Sequence, residues 1–294
     1  MQLFPWSHAN SAGFTSGGWH SKPSAKPVLH FLHGNGYCGR VYEPMLEALA
    51  EHFDLWLCDA QGHGESDHGG RFHGWNRNAE LAVEAWSTVG RECFADAPLY
   101  AVGHSFGGVL TSLILAQHPQ LFKRAVLLDP VLFSAPMIGV MALSDVVGLS
   151  RRTGMAAKAV KRRKVWPDRA TAQTLLQGRG MFRGWTEDAF SAYIEHALKD
   201  TDAGVELKCR PSREADIFSS YPRRLWSSLA KIQTPTEIIY GQRSYPFVAK
   251  SVARCCASNS QIQGQVVEGG HCFMQEHPQA SAERVSRFLL AQHA

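Results

Sequence analysis

The stretch LYAVGHSFGGVLTSLILAQHP, residues 99–119, combines an apolar run, a glycine-rich turn and a second, longer apolar run. The first run has the apolar, partly β-branched and aromatic content of a strand, and the second is long enough for a buried helix. Between them, residues 103–107 read GHSFG and fit the pattern G-x-S-x-G, in which a strained turn from strand to helix holds a serine hydroxyl clear of the sheet. The helix N-terminus beside that hydroxyl favours developing negative charge, so Ser105 is the candidate nucleophile.

Similar short apolar runs recur along the chain, each bounded by turn residues. They are continuously apolar rather than alternating, which is typical of strands covered on both faces in a parallel sheet. Segments with a helical spacing of apolar residues separate most of them, and this alternation predicts an α/β fold with a mostly parallel sheet flanked by helices. The runs are PVLHFLHG (27–34), FDLWLCDA (53–60), PLYAVGHS (98–105), KRAVLLDP (123–130), PTEIIYG (235–241) and GQVVEGG (264–270).

A long middle part of the chain lacks a clear buried strand and is rich in helix formers and basic side chains. We therefore predict a first core segment (1–133), a helical cap inserted over the carboxyl edge of the sheet (134–230), and a second core segment (231–294). That edge is where α/β sheets bind ligands. The run KRRK (161–164) is either a solvated helix face or an anion site. Apolar residues that either line an acyl pocket beneath the cap or form the core of the insertion are Phe133, Met137, Met141, Met155, Met181, Phe182, Trp185 and Phe190.

Three further segments resemble motifs of one known family, in the order in which that family places them. HFLHGNG (30–36) resembles its oxyanion loop after the third strand, and CDAQGHGESD (58–67) resembles its D-x-x-G-x-G-x-S segment after the fourth. EGGHCFMQEHP (268–278) resembles its histidine loop after the eighth. With the G-x-S-x-G turn, these segments identify the chain as a member of the α/β-hydrolase fold family over nearly its whole length. The resemblance implies an eight-stranded, mostly parallel sheet.

The same resemblance implies roles for four residues. Ser105 matches the nucleophile, and His271 matches the general base that takes its proton and later delivers it to the leaving group. The oxyanion donors would be the backbone N–H groups of Phe106 and Asn35. A serine nucleophile, rather than an aspartate, favours acyl transfer over the dehalogenase and epoxide-hydrolase branches of the family.

The chain departs from the family at the third member of the triad. The family most often places a carboxylate after its seventh strand, where this chain reads GQRSYP (241–246). Asp129, in LLDP after the sixth strand, resembles the alternative acid position of pancreatic-type lipases, although LxDP is also a common structural turn. The ends of the sixth and seventh strands are neighbours in this fold, so Asp129 is the predicted acid. Rival carboxylates are Glu214, Asp216 and Glu268.

The predicted function is that of a serine hydrolase that cleaves a carboxylic ester, lactone or thioester through an acyl-serine intermediate, without metal or cofactor. Carbon–carbon bond hydrolysis or cofactor-free oxygen chemistry on the same fold is one alternative, and a non-catalytic ligand-binding member is another. The expected partner of such a hydrolase is a small acyl substrate. A nucleic acid is not expected, because a net charge of +4 is only mildly basic. The N-terminus lacks the pattern of a signal peptide and no apolar run is long enough to span a bilayer, so we expect a cytoplasmic protein without a stable membrane anchor.

Overall fold

The computed structural model describes residues 1–147, 149–152 and 154–291. Its strands are β1 (Leu3–Ala9), β2 (Thr15–Ser21), β3 (Val28–Leu32), β4 (Asp54–Cys58), β5 (Leu99–His104), β6 (Ala125–Leu128), β7 (Val165–Trp166), β8 (Leu198–Thr201), β9 (Gly204–Leu207), β10 (Thr236–Arg243) and β11 (Ile262–Gly270). Its helices are α1 (Glu43–Leu49), α2 (Trp75–Ala85), α3 (Arg91–Phe94), α4 (Phe106–Gln117), α5 (Ala135–Val146), α6 (Gly154–Val160), α7 (Arg169–Leu176), α8 (Glu187–His196), α9 (Pro211–Phe218), α10 (Leu225–Leu229), α11 (Val248–Ser258), α12 (Phe273–Glu276) and α13 (Pro278–Leu289). Single turns of 3-10 or π type cover Gly39–Tyr42, Trp86–Gly90 and Gly180–Phe182.

The main sheet has eight strands in the order β1-β2-β4-β3-β5-β6-β10-β11. The strands from β4 to β11 in this order pair in parallel, whereas β2 pairs antiparallel with both β1 and β4. This topology confirms the mostly parallel eight-stranded sheet predicted from the sequence. The hairpin of β1 and β2 was not among the predicted strands. Pro5 lies on β1, at the edge of the sheet, which is where a strand tolerates a residue without an N–H group.

Two layers of apolar side chains cover the sheet because successive residues of a strand point to opposite faces. In β3, Leu29 and Phe31 join one buried cluster, while Val28 and Leu32 join the other. Helices α2, α4 and α11 cover the second face, and helices α1 and α13 cover the first. Strand β5 lies in the middle of the sheet, so the turn that follows it opens at the centre of the carboxyl edge.

The segment between β6 and β10 contains helices α5 to α10 and also a small antiparallel sheet in the order β7-β9-β8. The sequence predicted helices alone here, because these strands are only two to four residues long and carry little period-two signal. Helix α10 packs against α4, and its Leu225 and Leu229 are buried in the main core. By its packing, α10 therefore belongs with the core although the predicted cap included it.

Within the described ranges, no helix combines the length and the apolar character that crossing a bilayer requires. The same ranges contain no cluster of three or more histidine, cysteine, aspartate or glutamate residues arranged to hold a metal ion.

Candidate active site

Ser105 lies on the turn between β5 and α4, with a φ of 53°, which residues bearing a side chain rarely adopt. Close approach of backbone segments requires the glycines on either side. A Cβ at Gly103 would lie 2.4 Å from the Gly107 carbonyl oxygen, and a Cβ at Gly107 would lie 2.2 Å from that of Leu32. The N–H of Ser105 donates to the Leu128 carbonyl oxygen at 2.9 Å, so the strained turn is held between the ends of β3 and β6.

His271 follows β11, and its ring joins Ser105 to Asp129. The Ser105 hydroxyl donates to Nε2 across 2.9 Å, and Nδ1–H donates to Oδ1 of Asp129 across 2.8 Å. The His271 side chain is 20 % exposed, whereas the Asp129 side chain is fully buried. The hydrogen bonds assign the proton of a neutral imidazole to Nδ1, which leaves Nε2 able to accept the serine proton.

Asp129 follows the last residue of β6 and reaches across to the neighbouring strand β10. Its backbone has a φ of 44°, and its N–H donates to the Ile239 carbonyl oxygen at 2.7 Å. Its Oδ2 accepts from the N–H of Gly241 at 2.8 Å, and its Oδ1 accepts from the Ser244 hydroxyl as well as from His271. Ser244 occupies the position where the sequence lacked a carboxylate, and it supplies a hydrogen bond to the carboxylate that lies one strand away. The sequence did not indicate this pairing.

Asn35 and Phe106 lie beside Ser105 and His271 around one cavity. Phe106 is the first residue of α4, where backbone N–H groups have no partner within the helix. Neither the N–H of Phe106 nor that of Asn35 donates to a protein acceptor in the described part of the chain. Both groups are therefore available to an oxygen of a bound molecule.

Comparison with known proteins gives the family of this chain. The model of the alpha/beta hydrolase family matches residues 31–284. The chain belongs to this family. The match confirms the resemblance seen in the sequence motifs.

Individual relatives of this alpha/beta hydrolase are distant. The type I acyl-CoA thioesterase mpaH of Penicillium roqueforti is 26% identical over 200 residues, which are 62% of this chain and 42% of the fungal protein. The chain thus spans less than half the length of that relative. The pimeloyl-acyl-carrier-protein methyl ester esterase of Xanthomonas campestris pv. campestris is 26% identical over 279 residues, 90% of this chain and 96% of the esterase. The crystal structure of E-2-(acetamidomethylene)succinate hydrolase has a TM-score of 0.79 at 20% identity, covers 99% of this chain and 100% of its own, and shows that the fold is shared.

The three other carboxylates considered for the acid position in this alpha/beta hydrolase lie away from the ring of His271. Glu214 is buried and forms an ion pair with Arg162. Asp216 pairs with Arg151 and with the buried Arg213. Glu268 is exposed on β11. Of the four candidate acids, the structure brings only Asp129 into contact with the ring of His271.

Two buried histidines hold the loop after β3 in place. Nε2 of His33 accepts from the N–H of Ala60 at 3.0 Å, and Nε2 of His63 accepts from the N–H of Gly36 at 3.1 Å. In each ring Nδ1–H donates to a nearby backbone carbonyl oxygen. Burial lowers the pKa of His33 to about 4 and lowers the pKa of His63 well below its ordinary value, so both rings are neutral supports.

The inserted segment also contacts this loop. Gly36 has a φ of 83°, and a Cβ at this position would lie 2.1 Å from Oε1 of Glu214 in α9. Arg162, from the KRRK run, pairs with Glu214 and donates to the Tyr193 hydroxyl at 2.6 Å. Burial raises the pKa of Glu214, and the Arg162 guanidinium opposes that shift. Arg162 is thus neither a solvated helix residue nor an unpaired anion ligand. It forms an ion pair with Glu214, and the Glu214 side chain in turn packs against Gly36 of the loop.

The cavity beside Ser105 has a volume of about 50 Å³. Its walls are apolar and come from both the core and the inserted segment. Among the residues predicted either to line an acyl pocket or to form the core of the insertion, Phe133, Met155 and Met181 line the cavity, whereas Phe182 and Phe190 pack into the core. The other apolar and aromatic side chains of the lining are Tyr37, Trp75, Phe106, Val131, Ile217, Phe218 and Tyr245.

A larger cleft of about 850 Å³ lies next to the cavity, with Trp75 as a shared wall. Its lining is mostly polar and includes side chains of α2, α9 and the segment before α2. Helix α9 separates the two spaces, because Ile217 and Phe218 line the cavity while Asp216 lines the cleft.

Proposed function

We propose that this alpha/beta hydrolase cleaves a carboxylic ester, lactone or thioester through an acyl-serine intermediate. The observation that carries the proposal is the continuous hydrogen-bonded chain from the Ser105 hydroxyl through both ring nitrogens of His271 to Asp129, with separations of 2.9 and 2.8 Å. Chains of this kind serve nucleophilic catalysis on several unrelated folds, and they are recognised by geometry rather than by sequence order.

In the proposed reaction, the Ser105 oxygen attacks the substrate carbonyl carbon as His271 Nε2 takes the hydroxyl proton. The carbonyl oxygen becomes an oxyanion that accepts from the N–H groups of Phe106 and Asn35. The tetrahedral intermediate collapses, the bond to the leaving oxygen or sulfur breaks, and His271 returns the proton to the leaving group. Water then gives a proton to His271 Nε2 as its oxygen attacks the acyl carbon, the bond from that carbon to the Ser105 oxygen breaks, and His271 returns the proton to Ser105 as the acid leaves. Asp129 holds the ring and stabilises the imidazolium formed in each half of the cycle.

The surroundings of Ser105 support acyl chemistry with a small apolar acyl group. The cavity of about 50 Å³ has mostly apolar walls, and its described lining contains no aspartate, glutamate, lysine or arginine side chain. Two relatives are named as an acyl-CoA thioesterase and a methyl ester esterase, and both reactions use an acyl carbonyl. We also propose that the segment 134–224 acts as the cap, since its residues Met155, Met181 and Phe218 line this cavity.

Covalent labelling tests the proposal directly. A fluorophosphonate probe is expected to label the wild-type protein on Ser105, as located by mass spectrometry, and Ser105→Ala is expected to abolish labelling. Ser112→Ala is the matched control, because Ser112 is buried in α4, the helix that Ser105 precedes, and its hydroxyl donates to a backbone carbonyl. A wild-type protein that does not react with the probe, or a Ser105→Ala variant that reacts equally, contradicts the proposal.

Turnover of model substrates tests the reaction class. We expect hydrolysis of 4-nitrophenyl acetate and of an acetyl thioester, with a lower kcat/KM for octanoyl analogues because the cavity is small. The Ser105→Ala variant should lose several orders of magnitude in kcat, to the residual level that binding and oxyanion donors alone support. Cleavage of a vinylogous 1,5-diketone without any cleavage of esters would favour carbon–carbon hydrolysis instead.

A further inference from the structure

His104, the residue before the nucleophile, is the last residue of β5 and is completely buried. The reaction proposed above gives it no role. Its ring lies between the two loops that follow β3 and β11, and therefore between the oxyanion loop and the loop that carries His271.

Both nitrogens of the His104 ring are engaged, each with a different loop. Nε2–H donates to the backbone carbonyl oxygen of His271 at 3.0 Å. Nδ1 accepts from the Tyr42 hydroxyl at 2.6 Å, and the oxygen of that hydroxyl accepts from the N–H of Gly34 at 3.0 Å. The donors and acceptors fix one neutral tautomer of His104 and form a continuous chain from Gly34 to His271.

Packing reinforces this chain. A Cβ at Gly34 would lie 2.7 Å from Nδ1 of His104, so the oxyanion loop lies directly against the ring. The rings of His104 and His271 have centroids 5.0 Å apart. Tyr42 is fully buried, which leaves its hydroxyl without water as an alternative partner.

Burial lowers the pKa of His104 well below its ordinary value, and the neighbouring His271 contributes to the same shift. The ring therefore stays neutral near pH 7. A neutral ring keeps its acceptor for Tyr42, and it places no second positive charge beside the imidazolium that forms on His271.

We propose that His104 is a positioning residue that sets the general base and the oxyanion loop relative to each other. Its hydrogen bond to the His271 carbonyl oxygen fixes the position of the His271 imidazole relative to Ser105. Its bond through Tyr42 fixes the peptide of Gly34, next to the oxyanion donor Asn35. The inference deepens the proposed function and rests on it for its kinetic consequences, but the geometric consequence is measurable without turnover.

Three variants separate the two bonds. His104→Asn keeps an acceptor near the position of Nδ1 and loses the donor to His271, whereas His104→Gln keeps a donor near the position of Nε2 and loses the acceptor. Tyr42→Phe removes only the hydroxyl. Displacement of reacting groups by about 1 Å costs on the order of 100-fold in rate, so we expect each variant to lower kcat for 4-nitrophenyl acetate by about 10- to 100-fold while KM changes by less than about threefold. His30→Asn, an equally buried histidine on the adjacent strand β3, is the control and should change kcat by less than about twofold.

A crystal structure of His104→Asn provides the second measurement. We expect the separation between Ser105 Oγ and His271 Nε2 to increase beyond 3.5 Å. Wild-type kcat in both His104 variants, or an unchanged separation of 2.9 Å, overturns the inference. If the wild-type protein is not labelled by a fluorophosphonate, the proposed function fails, and the separation in the variant still decides the positioning role. If the His104 variants do not fold, the kcat and the corresponding structure of Tyr42→Phe decide it.

Discussion

Replacement of Asp129 by asparagine forces a choice between two unfavourable arrangements. If the amide oxygen takes the place of Oδ2, it accepts from the N–H of Gly241, and the amide N–H₂ then faces Nδ1 of His271. That ring nitrogen must become an acceptor, so its proton moves to Nε2, which can no longer accept from Ser105. If the amide is reversed, its N–H₂ faces the N–H of Gly241, which leaves a buried donor unpaired at a cost of about 1–3 kcal/mol. The first arrangement is preferred, and it holds the wrong tautomer.

We therefore expect Asp129→Asn to lower kcat by up to ~10⁴-fold, the loss found when the corresponding serine-protease aspartate is replaced in the same way. This loss corresponds to about 5 kcal/mol of transition-state stabilisation. The assay is hydrolysis of 4-nitrophenyl acetate under saturating substrate, with the melting temperature measured in parallel. Glu268→Gln, which removes an exposed carboxylate from β11, is the control and should retain wild-type kcat.

A second substitution tests whether the negative charge itself matters. The Ser244 hydroxyl and Nδ1 of His271 contact the same oxygen of Asp129, so a carboxylate at position 244 is within reach of the ring. The double variant Asp129→Asn with Ser244→Asp should recover about 10- to 100-fold of the lost kcat. An Asp129→Asn variant that keeps more than about a tenth of the wild-type kcat with unchanged melting refutes the reasoning, and Asp129 is then a structural turn.

Three other predictions concern stability and selectivity. Because Ser105 has a φ of 53°, Ser105→Gly should be about 1 kcal/mol more stable to urea than Ser105→Ala, and equal or lower stability argues against strain at this turn. The pKa of His30 and of His33 is lowered by burial to about 4, so the unfolded chain takes up protons first as the pH falls. The free energy of unfolding should therefore be highest above pH 6.5 and decline between pH 6.5 and about 4. Burial raises the pKa of Asp59 to about 7, so protonation of this one group in the folded protein offsets only part of the loss from the two histidines. Equal free energies from urea titrations at pH 7.5 and pH 5 would count against this prediction. Phe218→Ala should raise the ratio of kcat/KM for octanoate over acetate esters by about tenfold, whereas an equal change for both esters places chain selection elsewhere.

The residues at the ends of the central strands were predictable because their signals are local. The glycine spacing around Ser105 and the apolar runs of β3 to β6 each lie within a few consecutive residues. The contact of Asp129 with His271 was expected by a different route, from the resemblance of LLDP to a known acid position and from the neighbouring ends of the sixth and seventh strands in this fold. The hairpin of β1 and β2 was missed because its strands lie near an edge and are interrupted by glycine, proline and polar residues.

Contacts between distant parts of the chain could not be predicted from the sequence. Ser244 reaches Asp129 across 115 positions, and the side chain of Asn35 reaches the backbone of Glu214 across 179. No periodicity or motif within a few consecutive residues predicts which distant side chain will pack beside a loop. The role of Arg162 was open for the same reason, because a basic run has the same composition whether its members face water or a buried carboxylate.

The hydrogen bonds of Ser105 and Asp129 divide the site into two parts that differ in stiffness. Each of these two residues donates its N–H to the next strand of the sheet, to Leu128 and Ile239 respectively. We therefore expect amide exchange at both positions to be slow, because it requires neighbouring strands of the central sheet to separate. Within the described residues, the loop of Asn35 has no such bond to a neighbouring strand: side chains of the core hold Gly34 and Gly36, and the inserted segment contacts Asn35 through the backbone of Glu214, so this loop can loosen while the sheet stays closed. Mild denaturant should consequently displace the N–H of Asn35, a proposed oxyanion donor, while Ser105 and Asp129 stay in place, so that the proposed ester turnover is lost at a lower urea concentration than the secondary structure of the core.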